Sequence, residues 1–369
     1  MALPSASVLR HIVDAHCHPT DAPEGISDAS MAQLDITICA MASVESDQSK
    51  VRDLALRFPD KVVPCFGYHP WVSHLISTTP STSATTNEAH YRTLFLPTAD
   101  QETQFQTLLA TLPTPRPLPT ILTELRSNLL AFPNAMLGEV GLDRAFRVPV
   151  DFFASPRVLT PFHIPLAHQL AVLEAQMDVA VELGRNVSVH SVKAQQATID
   201  LLAGMRTRYG ERWSKISVDM HSCGFSAQSW RDVEKKHENV FLSLSTVINS
   251  SHGNYRSLIA ACSPDRLLVE SDYNNIDMCT RQTWDMVKII AEIRGWHIES
   301  KEWVGDANSE PEETWGVVRR LEKNWRRFRD GGHVVRQTRK EKKKRVEYYS
   351  DSEGPDAEQG EVVDINKSS

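Results

Sequence analysis

At 369 residues with 41% hydrophobic content, the chain carries enough apolar side chain for one core of barrel size or two modest ones, which excludes a disordered protein. Its net charge of -7 excludes a surface that attracts nucleic acid by overall field, so any such substrate has to be gripped by a local groove. With no apolar run near the roughly eighteen residues of a membrane span, no basic and apolar leader, and six scattered cysteines without a CxxC pair, the expected setting is reduced and intracellular.

The first predicted element is the strand Ile12 to His18, Ile-Val-Asp-Ala-His-Cys-His. Side chains alternate along a strand, so Asp14, His16 and His18 fall on one side and two imidazoles converge at one strand end. Neutral imidazole binds divalent metals, and two of them in this spacing make half a metal site. The pattern next predicts a short buried strand over Ile36 to Ala42 and a helix over Ser46 to Phe58, with Ser46 or Asp47 as its N-cap. A strand from Lys61 follows and ends in Gly67 and His69. Residues 77 to 120 break the rhythm: Ser, Thr and Pro dominate, and an insertion is expected, with a possible helix at 100 to 111.

The alternation resumes with a strand over Ala135 to Asp143, a loop to His163 and a long amphipathic helix from Leu166 to Leu183, stopped by Gly184. Strands are then predicted at Asn186 to His190, Ile216 to His221, Val240 to Val247 and Arg266 to Glu270. Helices fall at Ala194 to Tyr209, Ser226 to Lys236, Tyr255 to Ala261 and Thr283 to Ile293. Eight strands, each followed by helix or insertion, predict an α/β protein of the (β/α)8 TIM-barrel class, and the lack of a GxGxxG after any strand disfavours a dinucleotide fold. A helix over Glu312 to Phe328 is expected to pack on the barrel, which draws the domain as residues 1 to 329. Beyond it, the basic run Arg336 to Arg345 and the acidic run Glu347 to Asp364 predict a solvated, disordered tail over 330 to 369.

In such a barrel the C-terminal strand ends share one mouth, so Glu139, His190, His221 and Asp272 are expected to join His16 and His18. Four histidines, a glutamate and an aspartate suffice for two divalent ions, and a carboxylate such as Glu139 can bridge both.

The segments Asp14-Ala-His-Cys-His18, Gly67-Tyr-His-Pro70 and Gly138-Glu-Val-Gly-Leu-Asp143, the strand ends at His190 and His221, and Glu270-Ser-Asp272 resemble the successive motifs of TatD-type metal-dependent deoxyribonucleases of the amidohydrolase superfamily. The resemblance runs from residue 12 to about 310. It implies two divalent ions (Mg, Mn or Zn) held by His16, His18, Glu139, His190, His221 and Asp272. It also implies attack of a metal-activated water on a phosphodiester, with exonucleolytic removal of nucleotides from DNA. Glu139 and Asp272 are the implied catalytic residues, Asp272 orienting or deprotonating the water, and His69 is implied to line the substrate site.

The chain departs from the family pattern in places. Where the family has His-x-Arg, Val192 stands and Lys193 follows, so Lys193 is the candidate phosphate contact, a point charge rather than a fork. The segment His221-Ser-Cys-Gly-Phe-Ser-Ala227 is one residue longer than usual, and the proline expected shortly after Asp272 is replaced. The missing arginine leaves open an amidohydrolase acting on C–N or ester bonds. The insertion and tail are similar to those of fungal members, some described as partners of a cell-division ubiquitin-ligase subunit, which implies a second kind of role as an interaction protein. With the basic run as an address, the expected location is the cytoplasm and the nucleus.

Overall fold

The computed structural model describes residues 3–22, 25–79, 86–251, 253–299, 302–303 and 311–334. Seven strands, β1 (Val13–Cys17), β2 (Thr37–Met41), β3 (Val62–Phe66), β4 (Met136–Asp143), β5 (Val187–Val192), β6 (Val218–Met220) and β7 (Val240–Leu242), form one parallel sheet in chain order. The eighth position belongs to residues 266–272. Leu268 N donates to Leu242 O at 2.8 Å and Glu270 N to Leu244 O at 3.3 Å, while on the other side Ala15 N donates to Val269 O and Asp272 N to His16 O, both at 2.9 Å. The last extended segment thus bonds to the first strand, and the curled sheet closes on itself.

The strands carry apolar side chains on both faces because both faces are covered. Outward residues such as Ile38, Val62, Leu137, Val187 and Val218 pack under the surrounding helices in the main core. Inward residues Cys39, Met41, Cys65, Met136 and Phe241 fill the barrel itself, together with Trp325 and Phe328 of the C-terminal helix Val317–Asp330. That helix plugs the end at which the strands begin. The histidine-bearing strand ends are left at the other, open end.

Several elements differ from the sequence expectation. The helix Glu45–Arg57 has Val44 at its N-cap, and Asp47 caps it from the first turn by accepting from Ser43 N at 2.9 Å and Val44 N at 3.0 Å. The 77–120 stretch holds two helices, Asn87–Phe95 and Glu102–Leu109, whose Tyr91, Phe105 and Leu108 build a satellite core with Val148, Phe162 and Ile164. The helix Leu118–Ala131, missed because prolines crowd its start, is the ordinary barrel helix between β3 and β4; Pro119 falls in its first turn, where an N–H is not needed. After β7 the chain turns into a short helix, Thr246–Asn249, in place of strand. The helix expected from Thr283 begins at Ile276, where Asn275 Oδ1 accepts from Asp277 N at 2.9 Å.

All six cysteines are free and buried, and no helix among the described residues is long and apolar enough to cross a membrane. The first compact unit runs past the boundary drawn at 329, through His333, whose backbone N donates to Ser214 O at 2.8 Å and whose Nε2 meets Ser217 Oγ at 2.7 Å. The charged tail beyond it lies outside the described residues. Because residues 335–369 offer few core-forming side chains, truncation after Val334 is expected to leave the thermal midpoint within about 2 °C of the full chain. A larger fall in calorimetry would show that the tail docks.

Candidate metal centre

Glu139 is at the centre of the open end, and its two oxygens face different histidines. Oε2 lies 3.2 Å from His18 Nε2 and 3.6 Å from His16 Nε2. Oε1 lies 2.9 Å from His190 Nδ1, 3.1 Å from His221 Nε2 and 3.2 Å from His69 Nε2. Asp272 completes the first group, with Oδ1 3.5 Å from His18 Nε2 and 3.9 Å from His16 Nε2. His16 and His18 share the end of β1, and the other side chains each arrive from a different strand end. Asp272 reaches the mouth through a left-handed backbone, φ 51°, which aspartate tolerates better than most residues. Gly141 allows β4 and β5 to approach at this level, since a Cβ there would collide with the His190 carbonyl. Asp14 stays behind the site, where its Oδ1 accepts from Ser271 N at 2.8 Å and ties β1 to the closing segment.

The far ring nitrogens decide which histidines can be ligands. His190 Nε2 faces Asp143 Oδ2 at 3.4 Å and His221 Nδ1 faces Glu270 Oε1 at 3.4 Å. Carboxylates only accept, so the His190 Nε2 hydrogen bond places its proton there and the Glu270 charge favours a proton on His221 Nδ1; in the neutral imidazoles His190 Nδ1 and His221 Nε2 are then bare lone pairs. The two lone pairs lie 3.4 Å apart, and Glu139 Oε1 is in contact with both. Three acceptors converging on one point fit a cation. His16 and His18 also have outer partners, Ser188 Oγ at 2.8 Å from His16 Nδ1 and Ser43 Oγ at 3.4 Å from His18 Nδ1, hydroxyls that can accept an Nδ1 proton, and their Nε2 atoms meet at 3.2 Å. Such outer partners fix the tautomer of metal-binding histidines.

His69 is different. Its Nδ1 accepts the Trp71 backbone N–H at 3.1 Å, so Nε2 bears the proton and faces Glu139 Oε1 at 3.2 Å. It therefore holds the carboxylate in place and lines the cleft.

The electrostatics agree with a site built for positive charge. Burial works to raise the Glu139 carboxyl, but the surrounding histidines, led by His69 and His221, hold it well below the usual carboxylate range. Burial disfavours a charged His18, yet Glu139 and then Asp272 push it up to about 9. His16, with burial dominant and His221 beside it, is pushed down to about 3.

The family model for TatD-related DNases matches residues 13–310, most of the chain. The chain belongs to the TatD-related DNase family. A protein named Cut9-interacting protein scn1, from Schizosaccharomyces pombe, is 29% identical, with 79% of this chain and 95% of that protein covered. An uncharacterized deoxyribonuclease of Saccharomyces cerevisiae is 28% identical over 72% of this chain and 84% of its own length. Among solved structures, a TatD homologue from Escherichia coli K12 matches with a TM-score of 0.53 at 16% identity, covering 88% of this chain and all (100%) of that one. An uncharacterized amidohydrolase from Saccharomyces cerevisiae matches with a TM-score of 0.54 at 12% identity, covering 86% and 99%. These structures share the barrel fold. Family and fold together support a metal-dependent hydrolase.

In this TatD-family barrel the six expected ligands come together, and His69 stands with them. Lys193 does not: it is exposed on the turn after β5 and is not among the residues that line the cleft, whereas Val192 is. The cleft above the centre, about 680 Å³, is lined by groups that sequence reasoning passed over: Trp71, Asp143, Phe152, Phe153, Arg157 and Lys50. Asp143 could have been found, since it ends β4 as the other candidates end their strands. Arg157 lies in an irregular loop with no period to mark it.

Proposed function

We propose that the protein is a metal-dependent deoxyribonuclease that hydrolyses phosphodiester bonds at the barrel mouth, removing nucleotides from DNA. The carrying observation is the division of Glu139, one oxygen toward His16 and His18 and the other toward His190 and His221, which is the arrangement of a bridging carboxylate. His16, His18, Glu139 and Asp272 would hold one divalent ion and Glu139, His190 and His221 the other. Bound ions of this kind supply Lewis acidity to a phosphodiester and lower the pKa of water. Asp272 borders both the His16–His18 pair and the open cleft, a position from which a carboxylate can orient a water or take its proton. His69 keeps Glu139 oriented by its Nε2–H.

The test is a substrate panel with protein reloaded with Mg, Mn or Zn. The expected result is hydrolysis of a single-stranded oligonucleotide and of bis(p-nitrophenyl) phosphate. Faster turnover of a carboxylic ester or an amide would assign the site to the wider amidohydrolase chemistry instead.

The coverage of 95% of the Cut9-interacting relative favours a second reading, that the chain also binds a protein partner, such as a cell-division ubiquitin-ligase subunit. The two roles separate in the Glu139→Gln variant, which should capture the same partner while losing hydrolysis. Under this reading the basic run Arg336 to Arg345 addresses the protein to the nucleus as well as the cytoplasm. A fluorescent fusion with Lys342, Lys343, Lys344 and Arg345 changed to alanine should then lose nuclear signal.

A further inference from the structure

One wall of the cleft is built by the loop after β4. Phe146 of this loop stacks on Trp71 with ring centroids 5.0 Å apart, and Trp71 Nε1–H donates to Asp143 Oδ2 at 2.6 Å. The Arg157 guanidinium lies 4.5 Å from the Phe152 ring centroid and 6.0 Å from that of Trp71. Phe153, 75% exposed, continues the aromatic surface at the cleft lining. Arg157 forms no hydrogen bond or ion pair with the described residues, so its donors remain available. The wall is anchored from behind, because Val148 and Phe162 of the same loop are buried against Tyr91, Phe105 and Leu108 of the 77–120 segment.

A guanidinium whose carbon rests over an aromatic ring can still offer its N–H groups to two phosphate oxygens. An exposed aromatic beside a phosphate grip offers the π-face on which an unpaired base stacks, and bases in a duplex are already stacked on one another. The cleft also holds Lys50, which donates to Thr20 O at 3.5 Å beside His18 and adds positive charge at that rim. At the end of β5, Val192 lines the cleft and provides no charge.

We propose that Arg157 is a phosphate-binding arginine of this cleft and that Phe153 is a stacking platform for a base of the substrate. This deepens the deoxyribonuclease reading and rests on it. On this reading the 77–120 segment serves the site by holding that loop in place.

The test titrates the dinucleotide pdTpdT into full-length, metal-loaded protein by calorimetry, with metal content measured on every preparation. Arg157→Ala is expected to weaken binding by at least about tenfold, Arg157→Lys by less, and Phe153→Ala by about fivefold or more. Metal content should stay at the wild-type level, since neither residue is among the proposed ligands. Wild-type binding in both alanine variants would overturn the inference, as would a loss found in Lys193→Ala alone. The two readings fail differently: wild-type protein that does not bind pdTpdT overturns this one, whereas binding that depends on Arg157 without hydrolysis of any phosphodiester upholds it and overturns the nuclease.

Discussion

Glu139→Gln is expected to cut hydrolysis by about a thousandfold or more, equivalent to about 4 kcal/mol of transition-state stabilisation, and to remove most of the bound metal. The substitution keeps the size of a side chain that is only 3% exposed, so the barrel has no cavity to absorb. What changes is charge and acceptor capacity. One oxygen becomes an amide nitrogen, and whichever group of histidines it faces meets a donor in place of an anion. Both proposed ion positions use Glu139, so the loss falls on the whole centre. The check is metal content by elemental analysis together with oligonucleotide cleavage; a variant that retains both would remove Glu139 from the site.

The second large effect is expected at Glu270, a residue outside the predicted ligand set. Its carboxylate is completely buried, with 0% exposure, accepts from Ser222 N at 2.8 Å and from the Ser222 and Ser243 hydroxyls, and lies 3.4 Å from His221 Nδ1. Glu270→Leu would leave Ser222 N without its acceptor, take one partner from the Ser222 and Ser243 hydroxyls and remove the charge facing His221, a change that costs about 3–5 kcal/mol by analogy with broken buried pairs. Glu270→Gln keeps the shape and should fold, but it weakens the grip on the His221 proton and so lowers metal affinity by roughly 10–100-fold. Denaturant unfolding of metal-free protein reads the first, and metal titration of the second reads the other. If Glu270→Leu unfolds at the wild-type midpoint, the buried network is not holding the β6 and closing-segment ends together.

The centre was legible because strands have a period of two and because barrel strands end at one mouth. Asp14 and His16 sit in β1 with His18 directly after it, and Glu139 sits in β4. The groups behind the centre were harder to read. Glu270 lies within the Glu270-Ser-Asp272 motif, but only the fold shows that it points at His221 while Asp272 turns into the mouth. The helix Leu118–Ala131 was hidden by Pro117 and Pro119, which look like loop composition and in fact begin a helix. The satellite core around Phe105 and Phe162 joins residues over fifty positions apart, a contact no local pattern carries. Arg157 depends on that core for its place, and so it was invisible for the same reason.

The central claim, that this mouth is a divalent-metal centre performing phosphodiester hydrolysis, is met most directly by adding Mn to chelator-treated protein in steps while following cleavage of a single-stranded oligonucleotide. The account predicts no cleavage without metal, a rise that saturates near two ions per chain, and a return to baseline when chelator is added back. Cleavage that persists through chelation, or its absence in protein that has taken up two ions, would contradict it.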